Sequence, residues 1–152
     1  MTRNGLILVA AGGSFALLLG AFGFQLLGYP PCKLCLWQRW PHAIAIVIGA
    51  LALWRPFYAL PWFGALAALA TAGVGLYHTG VERKWWEGPD TCTSGPIGGL
   101  TPDQLMDQIL TAPLIRCDEV AWQFLTLSMA SWNMLISLAL AGLWIVAATR
   151  SV

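Results

Sequence analysis

Charged side chains are scarce in this chain. Asp, Glu, Lys and Arg make up 10% of its 152 residues, whereas a soluble domain carries about 25%. A chain with so little charge lacks the polar surface that a protein needs in water, and its 58% hydrophobic content favours a membrane protein. The net charge is +1 and no basic tract is present, which argues against nucleic acid as a partner.

Charge is absent from four long stretches, namely 4–32, 40–54, 56–81 and 120–149. A helix needs about 20 apolar residues to cross a bilayer, because in lipid the backbone must satisfy its own hydrogen bonds. The sequence therefore predicts an all-α membrane protein, a bundle of four transmembrane helices at about 6–27, 36–54, 57–79 and 125–147. The length of the chain, 1–152, suits a single membrane domain.

The apolar stretches have two other interpretations, a cleavable signal peptide and the buried helices of a soluble bundle. Arg3 precedes the first stretch, as in a cleavable signal peptide, but the stretch exceeds the core of about 7–15 residues and lacks a small-x-small cleavage site. Buried helices of a soluble bundle are disfavoured by the length of the uncharged stretches. Glycines of the first and third stretches are predicted to allow close helix packing. They are Gly12, Gly13, Gly20, Gly64, Gly73 and Gly75.

The cysteines indicate how the bundle is oriented. Four spans place both termini on one side, and loops at about 28–35 and 80–124 on the other, so the 4 cysteines share one compartment. The distribution of Lys and Arg does not decide the orientation under the positive-inside rule. Paired cysteines suit an oxidising space such as the bacterial periplasm. We therefore expect a bacterial inner-membrane protein with periplasmic cysteine loops and cytoplasmic termini.

Cys32 and Cys35 form a C-x-x-C motif just before the second predicted helix. Such a motif closes a readily reduced disulfide, and its thiolates often have a lowered pKa. We expect this helix to begin near Leu36, with Arg39 in its first turns, one turn after Cys35 and on the same face. A positive charge there favours thiolate and other anions, so Arg39 is a functional candidate. The alternative is that Arg39 only snorkels to the membrane interface.

Cys92 and Cys117 lie in the long loop and do not form a second C-x-x-C. Zinc binding by the four cysteines is the main alternative to redox chemistry, but a closed thiolate site is less expected in an oxidising compartment. We therefore predict no metal site. A purely structural disulfide between Cys92 and Cys117, which would staple the loop, also stays open.

The long loop contains a predicted amphipathic helix that starts at Thr101. Thr101 is a suitable N-cap, Pro102 suits the first helical position, and Gln104 completes a capping box. Its apolar face is expected to lie on the membrane surface or to pack on the loop. His78, with Glu82 one turn later, is predicted to relay protons or to donate a hydrogen bond to a bound carbonyl. A packed structural histidine is the alternative.

These motifs, taken in order, resemble those of the DsbB family of bacterial inner-membrane thiol–quinone oxidoreductases, and the resemblance covers nearly the whole chain. The matching segments are Pro31-Cys32-x-x-Cys35-x-x-Gln38-Arg39, Leu76-Tyr77-His78-x-Gly80-Val81-Glu82, Thr91-Cys92, and Arg116-Cys117-Asp118-Glu119 followed by 122–133.

The resemblance implies a disulfide-generating enzyme with four catalytic cysteines. A periplasmic DsbA-like thiol oxidase would attack a Cys92–Cys117 disulfide, and exchange would pass the electrons to Cys32 and Cys35. Cys35 would deliver them to a membrane quinone, either ubiquinone or menaquinone. A DsbA-type partner has a potential of about −120 mV, so its reoxidation requires an acceptor of higher potential, which suits a quinone.

The resemblance also implies that Arg39 and His78 lie near the quinone. A vitamin K epoxide reductase-like enzyme is one alternative, but its quinone-facing C-x-x-C would begin a late helix, whereas here the motif precedes the second helix. A non-enzymatic, metal-binding tetraspan protein is the other alternative.

Overall fold

The computed structural model describes residues 1–55, 57–92, 99–111 and 115–150. Its elements are α1 (Arg3–Leu26), α2 (Lys33–Trp54), α3 (Leu60–Glu82), α4 (Pro102–Thr111), β1 (Gln123–Phe124), β2 (Leu127–Ser128) and α5 (Met129–Ala148). Four of these helices, α1, α2, α3 and α5, are long and apolar enough to cross a membrane. The predicted four-helix membrane bundle is thus confirmed. Residues 93–98 and 112–114 of the predicted long loop, and 56 and 151–152, lie outside the described residues.

The C-x-x-C motif forms the first turn of α2, which begins at Lys33 and not near Leu36. Cys32 is the N-cap, and its sulfur accepts a hydrogen bond from the main-chain N–H of Cys35. A capping side chain satisfies a main-chain donor that a helix start otherwise leaves free. The early start places both sulfurs at the helix N-terminus.

A tight β-hairpin precedes α5, which begins at Met129 and not at about residue 125. Strands β1 and β2 pair antiparallel, and Leu125 and Thr126 between them have φ of 50° and 65°. A two-residue hairpin turn requires such positive φ values, which usually select Gly, Asn or Asp. The sequence offers none of these residues there, so it gave no hairpin signal. Ser128 then caps α5 by accepting a hydrogen bond from the N–H of Ser131.

Within the bundle, α3 packs against α2 and α5, and α1 packs against the same two helices. The fully buried indole of Trp144 in α5 lies in the core, against Gly64 of α3. A Cβ on Gly64 would lie 2.5 Å from Trp144, and one on Gly49 would lie 2.4 Å from the Cβ of Ala11. Glycine therefore sets how closely these helices approach.

Close packing is confirmed for some of the predicted glycines and wrong for others. A Cβ on Gly13 would meet Leu140 at 2.6 Å, and one on Gly75 would meet Met134 at 3.2 Å. The other three predicted glycines are exposed, and no atom of the described residues lies within 4 Å of a Cβ built on them. They are Gly12, Gly20 and Gly73.

The two ends of the bundle differ as the sequence predicted. The four cysteines share one buried cluster at one end. At the other end, Arg150 donates a hydrogen bond to the main-chain oxygen of Met1, and Arg3 donates one to that of Phe57 over 3.2 Å. The termini and the α2–α3 turn therefore lie together, away from the cysteines.

The capping box at the start of α4 is also present. The N–H of Thr101 donates to Oε1 of Gln104 over 3.0 Å, and the N–H of Gln104 donates to the hydroxyl of Thr101 over 3.4 Å. Met106, Ile109 and Leu110 of this helix are exposed.

Candidate active site

The dithiol of Cys32 and Cys35 lies at the N-terminus of α2. Their sulfurs are 2.9 Å apart, and the Cys32 thiol donates to the sulfur of Cys35. The main-chain N–H of Cys35 donates in turn to the Cys32 sulfur over 3.2 Å. The hydrogen bond to Cys35, together with burial, raises the pKa of the Cys32 thiol. Cys32 is buried and Cys35 is half-buried, so Cys35 is the more accessible sulfur.

A disulfide joins Cys92 to Cys117, at the same end of the bundle as this dithiol. The N–H of Cys117 also donates to the main-chain oxygen of Cys92 over 2.7 Å. Both residues are fully buried and share one cluster with Cys32 and Cys35. The fold thus brings all four predicted cysteines together, as one disulfide and one dithiol.

An ion cluster attaches the disulfide segment to the end of α3. Arg116 donates to both carboxylate oxygens of Asp118, from Nε over 3.0 Å and from Nη2 over 2.8 Å. Lys84 donates to the same carboxylate. Hydrogen bonding by Arg116, and then by Lys84, holds the pKa of Asp118 well below its usual range. The cluster anchors the residue next to Cys117.

His78 of α3 lies between the two cysteine pairs and is buried. Its Nε2 is 3.6 Å from the sulfur of Cys32 and 3.7 Å from Oε1 of Glu82. The main chain of Cys117 also forms a hydrogen bond with the ring. Its Nδ1 is 3.0 Å from Nε2 of Gln38. The ring therefore contacts the dithiol, the disulfide segment and a buried carboxylate at once.

Glu82 ends α3, and its side chain is 7% exposed. It accepts a hydrogen bond from Ser128, whose hydroxyl is 3.1 Å from that of Ser131. Glu82 and Ser128 line a polar cavity of about 250 Å³ together with Arg83 and Gln123. The carboxylate thus lies between His78 and this cavity.

An apolar pocket of about 480 Å³ lies on the other side of His78. Cys35, Arg39 and His78 line it, whereas Cys32 does not. Its apolar lining comes mainly from α1, α5 and the segment before α5, and includes Leu17, Phe24, Trp122, Trp132 and Ile136. Among the residues that the structure describes, Arg39 has no carboxylate partner. The three predicted residues therefore meet at a single apolar pocket.

A network of uncharged polar side chains extends from His78 into the bundle. It joins Gln38 and His42 of α2, Thr71 of α3 and Asn133 of α5. Sequence analysis assigned no function to Thr71 or Asn133. Both are polar residues within apolar stretches of the sequence. Polar residues inside a membrane span often belong to functional sites, so this pattern could have indicated them.

The geometry of the thiols favours thiol exchange over a metal site. Ligand atoms of Cys32, Cys35 and His78 lie within 4.8 Å of one another. However, the two sulfurs are 2.9 Å apart, whereas two sulfurs on a tetrahedral zinc with bonds of about 2.3 Å are roughly 3.8 Å apart. Cys92 and Cys117 are bonded to each other, so in this structure they do not offer the free thiolates that a four-cysteine zinc site requires.

Comparison with known proteins gives a consistent result. The family model "DsbB: Disulfide bond formation protein DsbB" matches residues 3–147. A "Disulfide bond formation protein B" of Xanthomonas oryzae pv. oryzae is 33% identical over 132 residues, which cover 80% of this chain and 75% of the relative. A protein of the same name from Polaromonas sp. is 25% identical over 162 residues, covering 99% of this chain and 92% of the relative. No solved structure matches the chain.

Proposed function

Because the chain belongs to the DsbB family of disulfide bond formation proteins, we propose that it reoxidises a DsbA-like thiol oxidase and passes the electrons to a membrane quinone. The family consists of disulfide bond formation proteins, and this member is a multi-pass membrane oxidoreductase that acts in disulfide formation.

The observation that supports it most directly is that the two cysteine pairs belong to one buried cluster. A thiolate of the reduced partner attacks one sulfur of the Cys92–Cys117 disulfide, forming a mixed disulfide and breaking the loop bond. The second thiol of the partner resolves the mixed disulfide, which leaves the partner oxidised and the loop pair reduced. The loop pair then exchanges with an oxidised Cys32–Cys35 pair, and each exchange moves two electrons. Packing in one cluster holds both pairs at the same end of the bundle, which supports this exchange.

The apolar pocket fits a quinone. Ligand pockets are mostly apolar with a few placed polar groups, and this one combines about 480 Å³ of largely apolar space with Cys35, Arg39 and His78. A bound quinone supplies an acceptor for two electrons and two protons. Cys35 would present the sulfur that donates the electrons, Arg39 would hold a carbonyl oxygen and stabilise negative charge on it, and the ring of His78 would form part of the pocket wall.

We further propose that residues 1–152 form a single membrane domain in the bacterial inner membrane. The cysteine end faces the periplasm, because stable disulfides belong to oxidising compartments, and the termini face the cytoplasm. The exposed side chains of Met106, Ile109 and Leu110 on α4 then lie on the periplasmic membrane surface.

The test is quinone reduction by detergent-purified protein. A reduced DsbA-type protein is added and quinone absorbance is followed, with ubiquinone and menaquinone analogues in separate assays. We expect quinone loss at a rate that disappears in a Cys32→Ser variant. A folded protein that reduces no quinone would contradict the proposal, and bound metal in that protein would favour the non-enzymatic alternative.

A further inference from the structure

The amide of Gln38 has one orientation, because a main-chain carbonyl fixes it. Its Nε2 lies 3.3 Å from the main-chain oxygen of Leu34, one turn earlier in α2. A carbonyl oxygen only accepts hydrogen bonds, so the atom that faces it is the amide nitrogen. The amide oxygen of Gln38 therefore faces Asn133 and accepts from Nδ2 over 2.8 Å.

The amide of Asn133 is oriented in a similar way. The hydroxyl of Thr71 donates its only proton to the main-chain oxygen of Gln38 over 3.1 Å. The oxygen of that hydroxyl then accepts from Nδ2 of Asn133 over 3.1 Å. Oδ1 of Asn133 is left to accept from Nε2 of His42 over 2.8 Å. Two main-chain acceptors on α2 thus set the direction of the whole network.

The directed network determines which nitrogen of His78 carries the proton. Nε2 of Gln38 donates to Nδ1 of His78 over 3.0 Å, so Nδ1 is an acceptor and the proton of the neutral ring is on Nε2. Nε2 faces the sulfur of Cys32 at 3.6 Å and a carboxylate oxygen of Glu82 at 3.7 Å. Both of these are acceptors, as is the main-chain oxygen of Cys117, the ring's further partner.

We propose that Gln38 and Asn133 are positioning residues that hold His78 as the Nε2–H tautomer, so that its ring donates toward the sulfur of Cys32. The Cys32 thiol in turn donates to Cys35 over 2.9 Å. The chain of donors ends on the Cys35 sulfur, at the pocket that Arg39 lines. The ring therefore acts on Cys35 through the Cys32 thiol. The network itself transfers no electrons.

The tautomer is independent of the proposed function, whereas its effect on turnover rests on it. The experiment is ¹⁵N NMR of the reduced, quinone-free protein labelled at its 2 histidines, with His78→Asn to assign the His78 signals. In the wild type we expect a neutral His78 ring with the proton on Nε2. In Gln38→Glu a carboxylate replaces the donor at Nδ1, so we expect a proton on Nδ1. Gln104→Glu makes the same chemical change in α4 and is expected to leave the His78 signals unchanged.

Two further variants test the tautomer without placing a new charge in the bundle, in case Gln38→Glu does not fold. Gln38→Met removes donor and acceptor without adding charge, and Asn133→Ala removes the group that faces the Gln38 oxygen. We expect both tautomers of His78 to be populated in each variant. A wild-type ring protonated on Nδ1, or a wild-type signal that none of these variants changes, would overturn the proposal.

A chemical readout on the thiols completes the test. The reduced protein is alkylated briefly, and the ratio of label on Cys35 to label on Cys32 is measured by mass spectrometry. Because a hydrogen bond to a charged group is lost, we expect this ratio to fall about tenfold in Gln38→Glu and to stay constant in Gln104→Glu. An unchanged ratio with a switched tautomer would refute the link to Cys35. If the wild type shows the Nε2–H ring but reduces no quinone, the proposed function fails and the tautomer assignment stands.

Discussion

The guanidinium of Arg39 in α2 donates a hydrogen bond from Nη1 to Oε1 of Gln25 in α1, over 2.9 Å. Nη2 donates to the main-chain oxygen of Ala21 over 3.2 Å, and the guanidinium carbon lies 4.7 Å from the centre of the Phe22 ring. An arginine that only snorkels would extend into the interfacial water. Here α1 holds the guanidinium at the wall of the apolar pocket.

Arg39→Ala is therefore expected to raise the KM for quinone. Loss of a hydrogen bond to a developing anion costs about 1.5–3 kcal/mol, which corresponds to a KM roughly tenfold or more higher. Arg39→Lys keeps the positive charge but cannot form the guanidinium's two simultaneous hydrogen bonds to α1. The KM of this variant should therefore be intermediate. Arg55→Ala, at the other end of α2, is the matched control. An unchanged KM and rate in Arg39→Ala would show that Arg39 is an interface anchor only.

Cys35→Ser is expected to abolish quinone reduction with every thiol donor. Cys35 is the member of the dithiol that lines the apolar pocket, and a serine hydroxyl forms no disulfide. Quinone absorbance is followed with a small dithiol and, separately, with the reduced protein partner. Residual activity near the wild-type level would place the electron transfer on another residue.

Cys117→Ser should separate the two halves of the electron path. Turnover with the DsbA-type partner is expected to be lost, because the disulfide that we propose the partner attacks is absent. Reduction of quinone by a small dithiol should persist, since the Cys32–Cys35 pair is intact. Equal turnover of this variant and the wild type with the protein partner would remove the relay between the pairs.

The sequence predicts the fold best where the surrounding lipid leaves the backbone few possible structures. In a bilayer an uncharged stretch has few alternatives to a helix, so four spans and the shared end of the cysteines followed directly from 4–32, 40–54, 56–81 and 120–149. The capping box of α4 is a local pattern and was equally accessible. The roles that we propose for Arg39 and His78 come from the resemblance to known motifs, because composition alone left them undecided.

Features that depend on tertiary contacts could not be predicted from the sequence. The hairpin turn at Leu125 and Thr126 contradicts local preference, so no turn signal in the sequence predicts it. Thr71 and Asn133 meet Gln38 from two other helices, and no spacing within one helix indicates such a partner. Which glycines face a neighbour also depends on helix rotation, so Gly64 and Gly73 look alike in sequence.

Gly64 and Gly73 provide a matched pair for the packing of α3. A Cβ on Gly64 would lie 2.5 Å from the Trp144 ring, whereas nothing lies within 4 Å of one on Gly73. Gly64→Ala is therefore expected to destabilise the protein by about 1–3 kcal/mol through overpacking. Gly73→Ala should be neutral or slightly stabilising, because alanine is the better helix former. Thermal unfolding in detergent measures both, and equal midpoints would contradict the described contact.

The ion cluster at Asp118 predicts a stability that depends on pH. Arg116 and Lys84 hold the pKa of Asp118 below its usual value, which is about 4. A carboxyl whose pKa is lowered by folding contributes its full stabilisation above the unfolded value and loses it as the pH falls through the folded value. At pH 7, Asp118→Asn should reduce the free energy of unfolding by about 1 kcal/mol.

The difference between wild type and Asp118→Asn should then shrink progressively below about pH 4. Asp90→Asn, in the same loop, removes an exposed carboxylate and controls for net charge. Denaturant unfolding in detergent at several pH values gives the free energies. A difference that stays constant from pH 7 into the acid range would show that Asp118 acts through its shape and not through its charge. Loss of the pH dependence in Asp118→Asn, but not in Asp90→Asn, would place the anchor of Cys117 at this carboxylate.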